Sequence, residues 1–119
     1  MTIDINRLTD PKNFHELISI KGQDIDSLKR MLKSMLTIRK AEQKLAFGRK
    51  EGLIGGPVHL GVGQEAIAVG VSENLKKTDR VFGAHRSHSH LLALNHDYYR
   101  LCAEILGKKT GFSKGMGGS

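Results

Sequence analysis

Residues 59–66 read HLGVGQEA, and residues 84–88 read AHRSH directly after a short apolar run. The first cluster places His59 beside closely spaced glycines, and the second places Arg86 among histidines. At the end of an extended segment, an arginine and neighbouring histidines can act as cationic donors to an anionic cofactor or substrate. The two clusters therefore predict the edge of an anion-binding active site.

The composition indicates one globular domain. The chain has 119 residues, of which 39% are hydrophobic and 26% charged, and its aromatic content of 5% without tryptophan predicts an aliphatic core. The net charge of +7 permits nucleic acid, acidic lipid or phosphate-bearing partners without choosing among them. The chain shows no apolar run of about 18 residues and no signal-like N-terminus, which argues against membrane spanning and secretion. Cys102 is the single cysteine and fits a reducing compartment, so a cytoplasmic location is expected.

Apolar periodicity predicts the main elements. Residues 1–25 form an irregular arm with one helical turn around Phe14, Leu17 and Ile18. An amphipathic helix is predicted from about 27 to 51, followed by a glycine-rich loop. The apolar stripe of this helix contains Leu28, Met31, Leu32, Met35, Leu36, Glu42 and Leu45.

The second half is predicted to contain three shorter helices and one strand. The first runs from residue 63 or 64 to about 77, and the others span 88–95 and 97–106, the last with Asp97 as N-cap and Gly107 as its end. The segment 80–84 is a candidate strand. The tail 107–119 carries five glycines and is expected to be a loop, which suggests a chain that stops partway through a larger protein. The second helix is expected to bury Ala66, Ile67, Val69 and Leu75.

Several motifs occur in a fixed order. They are Arg39 and Glu42 on the first helix, GGPVHLGVGQEA at 55–66, Arg86 with His88 two residues on, AEILG at 103–107 and GFSKGMGGS at 111–119. Over residues 28–119 this order and spacing resembles the alpha subunit of thiamine-diphosphate-dependent 2-oxoacid dehydrogenases. That family includes the pyruvate, branched-chain and acetoin dehydrogenase first components.

The resemblance implies an α/β fold, namely the N-terminal part of a doubly wound thiamine-diphosphate-binding fold that is mostly helical in this stretch. Residues 1–27 would form an N-terminal arm, and 28–119 the first part of the dehydrogenase domain. The implied reaction is oxidative decarboxylation of a 2-oxo acid, or acyloin cleavage, with acyl transfer to a lipoyl group. The implied partners are a beta subunit and a lipoyl-bearing acyltransferase, with no nucleic acid and no membrane.

The resemblance also implies the site residues. His59 would face the reacting end of thiamine diphosphate and be catalytic, and Arg86 would contact the diphosphate, with His85 and His88 also binding the cofactor. The Mg²⁺ ligands of the family are expected beyond Ser119. His85 departs from the family pattern because a tyrosine is usual there, and Ser89 and Asn95 stand where glycines are common.

Other interpretations of the site residues stay open at this point. His59 could cap the helix that starts at Gln64. His85, His88 and His90 could form a zinc site, although residues 88 and 90 point in different directions on a strand or a helix.

Other interpretations apply to the charged residues and to the whole chain. Arg39 and Glu42 have the i, i+3 spacing of a helix-stabilising ion pair. The stripe of Lys29, Lys33, Lys40 and Lys44 is typical of a solvated face. The chain could also be a small basic nucleic-acid-binding protein, although aromatic residues for base stacking are scarce, or an inactive truncated product.

Overall fold

The computed structural model describes residues 10–14 and 18–118, in which the regular elements are all helical. A 3₁₀ turn at Pro11–Phe14 is followed by four α-helices. These are α1 (Ile25–Lys50), α2 (Glu65–Ser72), α3 (His88–Asn95) and α4 (Tyr98–Ile105). The predicted helical turn in the arm includes Phe14, while Leu17 lies outside the described residues and Ile18 is exposed.

Helix α1 confirms the prediction to within two residues at either end. Its N-cap Asp24 accepts a hydrogen bond from the backbone N–H of Asp26 at 3.1 Å, which satisfies one of the free donors of the first turn. After Lys50 the chain turns at Gly52, whose φ of +75° is easily adopted only by glycine.

The buried face of α1 is narrower than predicted. Ile38, Glu42 and Leu45 lie in the interior, with Met31 and Met35 packed against the core. Leu32 and Leu36 were predicted to be buried with them, but they are 52% and 54% exposed. The reason is the helical repeat, since each lies about 100° around the axis from the methionine that precedes it.

Helix α2 is shorter than predicted, and its buried face is shifted. It ends at Ser72, where the Ser72 hydroxyl donates to the Val69 carbonyl at 2.9 Å and the Asn74 amide donates to the Gly70 carbonyl at 2.7 Å. Such side-chain bonds compete with continued helix. Val69 is buried as expected and Leu75 is half-buried. The prediction was wrong for the other two residues expected in the core, Ala66 and Ile67.

Two side chains at the start of α2 face outward, namely Ala66 and Ile67, which is 61% exposed. Their place in the core is taken by Glu65 and Ala68. The buried face of α2 therefore begins with a charged residue, which the apolar pattern alone does not predict.

The last two helices confirm the prediction, but the strand does not form. The carboxylate of Asp97 accepts from the backbone N–H of Arg100 at 2.9 Å as the N-cap of α4, and Gly107 has a φ of +66° just after the helix. The segment 80–84 is without regular structure, and no strand occurs in residues 10–14 or 18–118. A strand requires a neighbour with which to pair its backbone groups, and this part of the chain provides none.

Helices α1, α2 and α3 pack on one another around an aliphatic core. This agrees with the low aromatic content. No helix in the described part of the chain is long and apolar enough to cross a membrane. The buried core residues are Ile38, Leu45, Ile54, Ala68, Val69, Leu92, Ala93, Leu101 and Ile105.

Candidate functional site

The four site residues predicted from the sequence line a single cleft of about 280 Å³. His59 comes from the loop before α2, His85 and Arg86 from the turn before α3, and His88 is the first residue of α3. The packing of α2 against α3 brings these two segments together. The structure thus juxtaposes residues that lie up to 29 positions apart in the sequence.

The rings of His59 and His85 contact each other edge to face, with centroids 5.2 Å apart and planes 72° apart. Both side chains are exposed. The N-cap of α2 is Gln64, which makes no side-chain capping bond. His59 thus lies in the cleft beside His85 and is not the N-cap residue of α2.

Arg86 has a φ of +59°, in the left-handed region that residues with a side chain rarely adopt. The hydroxyl of Ser89 donates to the Arg86 carbonyl at 3.2 Å and helps to hold this turn. Backbone strain of this kind costs about 1 to 3 kcal/mol and is found where the surrounding structure requires a special side-chain direction. Here the strained turn carries a guanidinium at the edge of the cleft.

The predicted ion pair between Arg39 and Glu42 is wrong. Arg39 instead pairs with Glu65 of α2, and its Nη2 donates to Glu65 Oε2 at 2.9 Å while its Nε donates to Oε1. Around the axis of α1, Glu42 points into the core and Arg39 lies at the edge that faces α2, so the two side chains diverge. The bidentate pair links α1 to the start of α2.

The environment of Glu65 strongly favours its ionised form. The Arg39 side chain, together with the backbone N–H of Gly63 at 3.1 Å, lowers the pKa of Glu65 to about 2, although burial acts in the opposite direction. The side chain of Glu65 is 6% exposed. Position 65 is therefore a buried negative charge with complete hydrogen bonding to its neighbours.

A second buried carboxylate organises the glycine-rich tail. Glu104 of α4 accepts backbone N–H bonds from Ser113 at 2.7 Å, Gly115 at 3.0 Å and Gly117 at 2.6 Å. Burial raises the pKa of Glu104, but these bonds together with one from Gly118 outweigh that effect and lower it. The segment 111–118 is consequently wrapped around one side chain.

This segment also forms one wall of a larger cleft of about 470 Å³ next to the first. The guanidinium of Arg100 lies 5.1 Å from the ring centroid of Phe112, which adds a cation–π contact to the same wall. His88 lines both clefts. Its ring therefore lies where the two spaces meet.

The zinc interpretation finds no support in the described part of the chain. No group of three His, Cys, Asp or Glu side chains in residues 10–14 and 18–118 could hold a metal ion. His85 lines the smaller cleft and His90 the larger one, so the histidines do not converge.

Sequence reasoning missed the position of Glu42. Its side chain has no exposed surface, its Oε2 accepts the backbone N–H of Gly61 at 2.9 Å, and its Oε1 lies 3.4 Å from Nδ1 of His88. The signal was a carboxylate within the apolar stripe of α1, where charge is costly without a partner.

Comparison with known proteins identifies the family. The sequence model of the family described as dehydrogenase E1 component matches residues 33–119. The chain belongs to the dehydrogenase E1 component family. The matched range contains every residue of the smaller cleft. No solved structure matches the chain.

Three curated relatives illustrate the similarity. The alpha subunit of acetoin:2,6-dichlorophenolindophenol oxidoreductase from Bacillus subtilis is 44% identical over 89 residues, which are 75% of this chain and 27% of the relative. The pyruvate dehydrogenase E1 component subunit alpha from Rhizobium meliloti is 43% identical over 73% of this chain and 25% of its own length. The corresponding subunit from Zymomonas mobilis is 38% identical over 88% of this chain and 31% of its own. The chain therefore spans about a quarter to a third of the relatives it matches.

Proposed function

We propose that the chain is the N-terminal portion of the alpha subunit of a thiamine-diphosphate-dependent dehydrogenase. The reaction would be oxidative decarboxylation of a pyruvate-like 2-oxo acid, or cleavage of an acyloin, with acyl transfer to a lipoyl group. The observation that carries the proposal is the convergence of His59, His85, Arg86 and His88 on one cleft. The names of the relatives, which are acetoin and pyruvate enzymes, support this choice of substrates.

The residues of the cleft fit the anionic end of thiamine diphosphate. The guanidinium of Arg86 offers a planar pair of donors that matches a diphosphate, and His85 offers a further ring donor beside it. His88 would contact the bound cofactor from the start of α3. His59 would lie toward the reacting end, where an imidazole can donate to developing negative charge or relay a proton near neutral pH. Bound thiamine diphosphate would supply the electron sink for loss of carbon dioxide.

The rest of the assembly follows from the same proposal. The partners would be a beta subunit and a lipoyl-bearing acyltransferase, and the location would be the cytoplasm. Magnesium would be held by ligands beyond Ser119, and residues 28–119 would form the first part of a doubly wound α/β domain. In that domain the segment 80–84 would acquire a strand neighbour.

The test uses two substitutions at Arg86 in the complete enzyme, assembled with its partner subunit. Arg86→Ala removes the guanidinium and keeps the backbone strain, whereas Arg86→Gly removes both. We expect both variants to bind thiamine diphosphate at least about thirty-fold more weakly, because truncating one member of a desolvated charge pair costs about 2 kcal/mol or more. Arg86→Gly should be at least as stable as the parent, because glycine adopts a φ of +59° without strain.

Two control variants separate charge and backbone effects from a direct contact. Arg80→Ala removes a positive charge from an exposed position that does not line the cleft, and His96→Gly replaces another residue with positive φ, at the end of α3. Both should keep the affinity of the parent when calorimetry is done at moderate salt. Unchanged cofactor affinity in Arg86→Ala would remove Arg86 from the site.

A further inference from the structure

Glu42 lies at the meeting point of three parts of the site. It belongs to α1, its Oε2 accepts the N–H of Gly61 at 2.9 Å, and its Oε1 lies 3.4 Å from Nδ1 of His88. Gly61 is two residues after His59. One carboxylate therefore contacts both the loop that carries His59 and the first residue of α3.

The burial of this group is complete. The Glu42 side chain is 0% exposed, and Ile38 and Leu45 lie one helical turn to either side of it in the core. Burying a carboxylate is costly unless charge partners and hydrogen bonds offset the loss of water. The bond to Gly61 occupies Oε2 and leaves Oε1 next to an imidazole, so the geometry points to a second task for this carboxylate.

His88 is held so that its two ring nitrogens differ. Nδ1 is screened from solvent and faces Glu42, while the ring lines both clefts. The separation of 3.4 Å between Nδ1 and Oε1 is slightly longer than an ordinary hydrogen bond, and contacts of this kind commonly tighten when a ligand binds.

A carboxylate beside one nitrogen of a neutral imidazole decides where the proton resides. It accepts from N–H and repels a lone pair, so it favours the tautomer with the proton on Nδ1. We propose that Glu42 is a positioning residue that holds His88 as this tautomer, with the ring lone pair on Nε2. How a ligand in the clefts would use that lone pair rests on the proposed function, but the tautomer does not.

Glu42→Gln gives a specific test, because the bond from Gly61 fixes how the new amide must lie. The buried N–H of Gly61 still requires an acceptor, so the amide oxygen takes the place of Oε2. The amide nitrogen then faces Nδ1 and donates to it. We therefore expect the proton of His88 to move from Nδ1 in the parent to Nε2 in Glu42→Gln.

The measurement is the ¹⁵N chemical shift of the two ring nitrogens of His88 in the 119-residue chain, at a pH where the ring is neutral. Protonated and unprotonated ring nitrogens resonate in separate regions, so the exchange of the two shifts is read directly. Glu73→Gln is the control, since it makes the same change at an exposed glutamate at the end of α2 that lines neither cleft. It should leave the His88 shifts as in the parent.

The outcomes are distinct from those of the proposed function. The role of Glu42 is overturned if the parent carries the proton on Nε2, or if the parent and Glu42→Gln show the same tautomer. If the variant does not fold, the result for the parent alone decides. The experiment contains no cofactor, so loss of the proposed function through the Arg86 variants would leave this inference standing. A change of the His88 tautomer in Glu73→Gln would also overturn it, because the effect would then not be specific to Glu42.

Discussion

The substitution Glu65→Gln removes the charge that pairs with Arg39 while keeping the size of the side chain. The pKa of Glu65 is about 2, compared with an ordinary value of 4.5. That difference corresponds to about 3 kcal/mol in favour of the ionised folded state. Because the Arg39 side chain is 40% exposed and solvent screens the pair, we expect Glu65→Gln to lose about 1 to 2 kcal/mol at neutral pH.

The pH dependence has a defined sign. The folded-state pKa of Glu65 is lower than its ordinary value, so its contribution to stability is fully present above about pH 4.5. It is lost as the pH falls from about 4.5 towards 2, because the unfolded chain takes up the proton first. The difference in stability between the parent and Glu65→Gln should therefore shrink over this range.

Urea denaturation of both proteins at a series of pH values between 7 and 2.5 measures the difference. Glu73→Gln is the control, because Glu73 is exposed at the end of α2 and should give the same stability as the parent at neutral pH. An equal loss of stability for Glu65→Gln at pH 7 and at pH 2.5 would refute the reasoning. It would show that the side-chain volume or the Gly63 contact, and not the charge pair, is responsible.

Three further predictions concern the cleft, the tail and the isolated chain. His59→Ala should lower turnover of the assembled enzyme by about 100-fold with little change in melting temperature, because the side chain is exposed; destabilisation with full turnover would contradict this. Gly111→Ala would place a Cβ 2.6 and 2.7 Å from the Cα and N of Glu104 and should cost about 1 to 3 kcal/mol in urea denaturation, whereas Gly55→Ala, which meets nothing within 4 Å, should be neutral. The 119-residue chain alone should show no magnesium-dependent binding of thiamine diphosphate in calorimetry; tight metal-dependent binding would mean that other ligands are at work.

The helices were predictable because their signals are local. The extent of α1, the N-cap at Asp97 and the glycine at 107 depend on neighbours within about one helical turn, and the structure confirms all three. The segment 80–84 could not be settled in this way. A strand is defined by its partner, which a local pattern does not contain.

The ion-pair partners of the charged residues could not be predicted from local sequence patterns, for the same reason. Arg39 was assigned to Glu42, three residues away, but its partner is Glu65, 26 residues away. A spacing of three or four residues predicts that two side chains can meet on one helix, but not that a second helix offers a better partner. The convergence of His59 with Arg86 on one cleft likewise followed from the family resemblance and not from periodicity.

Three buried glutamates share one structural role in this chain. Glu42 accepts from Gly61, Glu65 accepts from Gly63, and Glu104 accepts from Gly115 and its neighbours. Each carboxylate is on a helix, and each backbone donor is in a glycine-rich segment that apolar packing alone would hold poorly, since glycine has no side chain to bury. Charge-assisted bonds to the backbone are about twice as strong as neutral ones, and so can order such segments without aromatic residues. The segments around Gly61, Gly63 and Gly115 are therefore positioned by carboxylates. In Glu42→Gln the amide oxygen can still accept from Gly61, so we expect that substitution to keep this bond while it changes the group that faces His88.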